Sequence, residues 1–166
     1  MTSLAIDVRV DGALLRGGGP AVVDREMTAA MHASTQHIRG LIMPKTPVGV
    51  SATLRGGTQA KVTTSMGAPR SIEGRVFNPV AYGLPVELGR RSGKQPPSSA
   101  LELWVRRKLG VAENRVKSVA FLVARKIGRK GTNAVLMFKQ AFEAGRGTVN
   151  GFFDRAAGRI SSELSK

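Results

Sequence analysis

Leu4, Ile6, Val8 and Val10 alternate with Ala5, Asp7, Arg9 and Asp11. A period of two puts the apolar set on one face of an extended chain, which predicts a half-buried strand, turned by Asp11-Gly12. Gly17-Gly18-Gly19 then reads as a flexible joint, and Pro20 suits the first turn of a helix. Residues 1–19 are therefore a strand and a joint. Beyond them the period changes. Val23, Met27, Ala30, Met31, Ser34, Ile38 and Leu41 fall on one stripe at helical spacing, predicting a long amphipathic helix over residues 20–43. Pro44 and Pro47 are expected to stop it. Such a stripe needs a sheet or a second helix to cover it.

Period two returns in residues 54–89, read as antiparallel strands. Ala60, Val62, Thr64 and Met66 alternate, Gly67-Ala68-Pro69 turns the chain, and Ile72, Gly74 and Val76 alternate again. That is a hairpin, and a third short strand is expected from Val80 to Val86 after the turn Asn78-Pro79. Residues 90–97 are polar, basic and rich in turn formers. They read as an exposed loop, mobile until a partner orders it.

Residues 98–166 read as helical. Ser99-Ala100-Leu101-Glu102 fits a capping box. Leu101, Trp104, Val105 and Leu109 are expected to form its buried side, with Gly110 ending the helix. Trp104 is the only tryptophan. Core is its plainer reading and interface anchor its rival. Val116, Val119, Ala120, Val123 and Ile127 mark a second helix, stopped by Gly128 and Gly131. Phe138, Phe142, Val149, Phe152, Phe153, Ala156, Ile160 and Leu164 mark a third, with Gly145 and Gly147 as possible kink points. The sum is one α+β domain: a small antiparallel sheet packed against a long N-terminal helix and C-terminal helices. Strand–helix alternation of the doubly wound kind is absent.

Composition narrows the chemistry. The 166 residues include no cysteine, which excludes disulfides, thiol catalysis and cysteine-ligated zinc. No stretch approaches the ~18 apolar residues of a membrane span, and Met1-Thr2-Ser3-Leu4 lacks the pattern of a signal peptide. The expectation is a soluble protein made in a cytoplasm. His32 and His37, the only histidines, are five apart, whereas a helical metal pair needs four. No phosphate-binding Gly-x-x-x-x-Gly-Lys-Ser/Thr loop occurs. Gly128-Arg129-Lys130-Gly131-Thr132 reads as a helix stop and turn. Acidic residues do not cluster as a metal-dependent nuclease needs. Glu87, in an apolar run, reads as a metal-binding or catalytic acid or, more plainly, as a tether for a neighbouring loop or for an arginine at an interface. No catalytic, metal or cofactor site is assigned.

Charge is the strongest signal. The chain carries +15, and residues 90–130 hold twelve basic and two acidic residues of that balance. Such a surface attracts polyanions or an acidic protein. The candidate interface or polyanion-facing residues are Arg90, Arg91, Lys94, Arg106, Arg107, Lys108, Arg129 and Lys130. Aromatic residues do not interleave this run as in a single-strand stacking platform, so contact with nucleic acid would be to phosphates.

Three segments, in order, carry a resemblance: Thr46-Pro47-Val48-Gly49 leading to Leu54-Arg55; Val80-Ala81-Tyr82-Gly83-Leu84-Pro85-Val86-Glu87-Leu88-Gly89; and the run from Ala124 to Thr132, followed by Phe138 and the last helix. Over about Val22 to Leu164 the chain resembles the tail-completion (minor tail, neck) proteins of long-tailed double-stranded DNA phages. Val50-Ser51-Ala52-Thr53 stands where that family often has an acidic residue and Thr-Gly. The resemblance implies a structural, non-enzymatic virion protein at the tail top. It would complete the tail and join it to the head as one subunit of a six-fold ring. The implied partners are further copies of itself and neighbouring neck and tail proteins, with genomic DNA in the channel as a further candidate and no membrane. A tail-terminator role and a free-standing DNA-binding protein remain as alternatives.

Overall fold

The computed structural model describes the backbone of residues 2–9, and residues 19–65 and 70–164 in full. The turn at Asp11-Gly12, the joint at Gly17 and Gly18, and the turn at Gly67-Ala68-Pro69 lie outside the described residues. The elements run β1 (Thr2–Arg9), α1 (Pro20–Lys45), α2 (Thr53–Gly56), β2 (Gln59–Ser65), β3 (Ser71–Asn78), α3 (Gly83–Leu88), α4 (Ser99–Leu109), α5 (Glu113–Lys130) and α6 (Met137–Leu164). The fold is α+β and mostly helical. β3 is the middle strand of an antiparallel sheet of order β1-β3-β2, with Ile6 opposite Gly74 and Val62 opposite the same glycine from the other side.

The alternation in β3 is as the sequence predicts: Ile72, Gly74, Val76 and Asn78 are buried while Arg75 is exposed. The buried face lies on α1. Gly74 is what lets it come close, because a Cβ there would stand 2.4 Å from Met31 Sδ and 2.6 Å from Thr35 Cγ2. Met31, Ile38 and Ile42 of α1 are wholly buried. Its other flank packs along α6, which extends roughly 40 Å at 1.5 Å per residue. The principal core lies where these meet, with Ile38, Ile42, Leu54, Val76, Met137, Phe138, Ala141 and Val149 in one cluster. Phe142 and Phe153 pack against it only partly buried.

Several expectations are corrected. α1 does not stop at Pro44; it runs through it to Lys45. Thr46 ends it, in an extended conformation set by Pro47, and its hydroxyl and N–H both donate to the Ile42 carbonyl. Leu54 and Arg55 lie in the single turn α2, not in a strand. The third strand expected from Val80 is instead the short helix α3. Asn78 Oδ1 accepts from Val80 N–H and Val80 C=O from Gly83 N–H, so the chain turns at once, and Pro85 falls in a first helical turn where no N–H is needed. The Ser99 capping box is not formed. Ser98 is the cap residue and makes no side-chain bond; the helix starts instead from N–H bonds to the Pro97 and Ser98 carbonyls. Gly128 does not stop α5, which continues to Gly131. Nor does Gly145 break α6. It is a contact point: a Cβ there would lie 2.5 Å from Ile38 Cδ1 and 2.9 Å from Leu41 Cδ1.

Polar ties close the long α1–α6 seam at one end. Glu26 accepts hydrogen bonds from Arg159 and Arg25, and Arg25 also reaches Glu163 at 2.6 Å. These bonds, first from Arg159 and then from Arg25, hold the Glu26 carboxyl below its ordinary value of 4.5. A depressed carboxylate contributes stability above its unfolded pKa and loses it as pH falls through the folded one.

Two predictions follow from this packing. Gly145→Val, which overfills the α1–α6 seam, is expected to destabilise by about 1–3 kcal/mol. Gly147→Ala, two residues on with nothing within 4 Å, is expected to stabilise by up to about 1 kcal/mol; urea titration of both checks the pair, and equal effects would refute the contact. The stability gap between the wild type and Glu26→Gln is expected to shrink as pH falls below about 4.5, the unfolded value, read by thermal melts across that range.

Candidate functional site

α4 and α5 form a helical hairpin that packs chiefly against itself. Its seam is small: Val105, Val116 and Ala120 are buried, with Leu101, Val111, Val119 and Val123 around them. Gly110 in the left-handed region ends α4, where a side chain would be strained. Two antiparallel chain segments join the hairpin to the body. Arg90 N–H donates to Thr132 C=O and Thr132 N–H to Arg90 C=O, and Gly93 N–H donates to Gly128 C=O at 2.7 Å. Gly131, at φ +70°, is required here, because a Cβ would collide with the Arg90 carbonyl oxygen. Residues 90–97 are a loop with Arg91, Ser92, Gly93, Lys94 and Pro97 exposed, and its backbone is tied to the other neck segment at Arg90 and Gly93.

Two helices alone cannot cover their own outer faces. Trp104, expected in the core, is 39% exposed, and Leu109 is 50% exposed. Val105 takes the inward position, and among the described residues the far side of α4 is left exposed. Leu103, Phe121 and Leu122 are exposed as well. The sequence did contain the signal for this. α5 has apolar residues at positions that no single helical stripe can hold.

The eight candidate basic residues divide into two groups. Arg106, Arg107 and Lys108 lie at the tip of the hairpin, and Arg90, Arg91, Lys94, Arg129 and Lys130 at its neck. The length of α5 separates them, roughly 24 Å from its first turn to Arg129. Arg106 spans the tip turn to Glu113, with Nη1 at 3.2 Å from both carboxylate oxygens. Arg90 Nη2 donates to Lys94 C=O. Arg107, Lys108, Arg129 and Lys130 are exposed and make no ion pair among the described residues. Arg115, Lys117, Arg125 and Lys126 bridge the two groups along α5. They sit inside the helix rather than at glycines or ends, where the sequence marks them less plainly.

Glu87 is buried, and both its oxygens are occupied. Oε2 accepts from Phe138 N–H at 3.0 Å and Oε1 from Lys139 N–H at 3.2 Å. It therefore caps the first turn of α6, where the helix dipole also favours a carboxylate. Its own carbonyl accepts from Leu136 N–H, and Leu136 stands at φ +55°, a strained conformation for leucine. Glu87 thus ties α3 to the start of α6.

Among the described residues no group of three His, Cys, Asp or Glu side chains could hold a metal. His37 lies edge-on to Phe152, with ring centroids 6.0 Å apart. His32 borders an open groove of about 440 Å³ between α1 and the end of the β2–β3 hairpin. The Asp24–Arg70 ion pair crosses that groove at 2.6 Å. No described helix is long and apolar enough to cross a membrane. No family model, curated protein or solved structure matches the chain.

Glu87→Ala leaves two helix-start N–H groups without an acceptor and is expected to cost roughly 1–3 kcal/mol. Thermal denaturation measures this, and a change within ~0.5 kcal/mol would contradict the capping role.

Proposed function

We propose that this protein is a structural subunit of the neck of a long-tailed double-stranded DNA phage, completing the tail and taking part in head–tail joining as a member of a ring. The observation that carries the reading is the α4–α5 hairpin. A small basic domain projects a helical arm with exposed Leu103, Trp104, Phe121 and Leu122, apolar surface that assembly would cover. The ordered segments around Thr46-Pro47, Val80 to Gly89 and Ala124 to Thr132 support the same reading, as does Glu87, whose oxygens serve the fold. Copies of the chain, neighbouring neck and tail proteins and the DNA in the channel are the proposed partners, and the tail top is the proposed location.

The charge of +15 favours a second reading, a basic protein that binds DNA through phosphates without reading sequence. Salt separates the two. A phosphate binder making six contacts loses about a thousandfold in affinity between 50 and 200 mM salt, whereas an isolated ring subunit is expected to bind duplex DNA weakly throughout.

The direct test is to tag the protein in its native host, induce particles and locate the tag by electron microscopy. Label at the head-proximal end of tails is expected. Label confined to the soluble fraction, or following chromosomal DNA, would overturn the neck reading.

A further inference from the structure

The two hairpin helices carry the same surface pattern. In α4 it is Leu103-Trp104 followed one turn later by Arg107-Lys108. In α5 it is Phe121-Leu122 followed one turn later by Arg125-Lys126. At a spacing of four, each apolar residue stands beside one cation on its own face: Leu103 with Arg107, Trp104 with Lys108, Phe121 with Arg125 and Leu122 with Lys126. All eight side chains are exposed, while Val105, Val116 and Ala120 face the inner seam. The hairpin, residues 99–130, has nine basic and two acidic residues, a net +7. One of those acids, Glu113, is already paired with Arg106.

We infer that the outward sides of this hairpin, which carry the two stations, dock a protein partner whose apolar patch is ringed by Asp and Glu. The inference rests on the assembly reading above and names the surface and the chemistry of what it meets. Trp and Arg are the side chains that anchor protein interfaces, with apolar groups central and charges at the rim. The alternatives fit less well. Duplex DNA would engage the cations but leave Leu103 and Leu122 facing phosphates. A helix lying on a bilayer separates its apolar face from its cationic one, and here the two share a face. A second copy of the chain offers little free negative charge. Among the described acidic side chains, Asp24, Glu26, Glu73, Glu113, Glu143 and Glu163 are in ion pairs, Glu87 is buried, and the two left, Glu102 of α4 and Asp154 of α6, lie on separate helices.

Trp104 is the only tryptophan and lies within the surface, so its emission reports docking directly. The probe is a synthetic amphipathic helix with Leu and Phe on one face and Glu flanking them. The controls are poly-glutamate, a short DNA duplex and phosphatidylglycerol vesicles, each added to the full chain. The expected result is a blue shift of Trp104 with the amphipathic peptide and none with the controls. Leu103→Ser with Leu122→Ser, and separately Arg107→Glu with Arg125→Glu, should each weaken binding at least tenfold, about 1.4 kcal/mol. All four positions are exposed, and circular dichroism confirms that the variants keep their helices. No shift with the peptide overturns the inference, as does an equal shift with poly-glutamate, DNA or vesicles. If the peptide docks but tagged protein is missing from tails, the neck reading falls and the surface stands. If the protein is in tails and the peptide leaves Trp104 unmoved, the surface falls alone.

Discussion

The close approach of α1 to both of its neighbours organises the domain. Two glycines on partner elements permit it. Gly74, in the middle of the central strand, leaves room for Met31 and Thr35 of α1; Gly145, a third of the way along α6, leaves room for Ile38 and Leu41. α1 is therefore clasped between the sheet and a helix, and Met31, Ile38 and Ile42 have no exposed surface left. With aromatic residues at only 5%, the core has few bulky side chains to span gaps. Close backbone approach takes their place, because dispersion and burial both depend on contact at short range.

The connections are held by buried polar groups with satisfied partners. Asn78 Nδ2 donates to Leu54 C=O and Thr58 Oγ1, and its Oδ1 accepts from Val80 N–H. One side chain thereby joins α2, the end of β3 and the turn into α3. Arg39 reaches the Thr58 carbonyl from α1. Glu87 does the same service between α3 and α6. Buried polar atoms are costly when unpaired, so these bonds make the connections directional where apolar packing alone would leave them slack. The strained backbone at Leu136 lies beside the Glu87 cap, which holds it in place.

The α4–α5 hairpin follows a different rule. It stands outside the clasp, with a small buried seam of its own, and backbone bonds tie its neck. The outward faces therefore retain Trp104, Leu103, Phe121 and Leu122 beside a dense set of cations. The same property links the domain to its proposed role. A surface left apolar and basic by the fold is one that a complementary partner completes.

Local pattern alone determined much of this. Period-two alternation around Ile72 to Val76 and the stripe from Val23 to Leu41 named β3 and α1, because each face must be buried as a unit. The left-handed stop at Gly110 was legible for the same local reason. Pro47, and not Pro44, ends α1: the helix runs through Pro44 to Lys45, and Thr46 turns extended before Pro47. The segment from Val80 to Val86 reads as a strand by composition. It became α3 because the Asn78–Val80 and Val80–Gly83 bonds turned the chain at once. The sequence neighbours of Trp104 point it inward, and only the packing of α4 puts it outside. Glu87 was visible as an isolated acid in an apolar run, but which groups it would serve depended on residues some fifty positions away. Periodicity is a property of one segment, so the sequence shows it; coverage of a face depends on what else folds against it, and that was decided only in three dimensions.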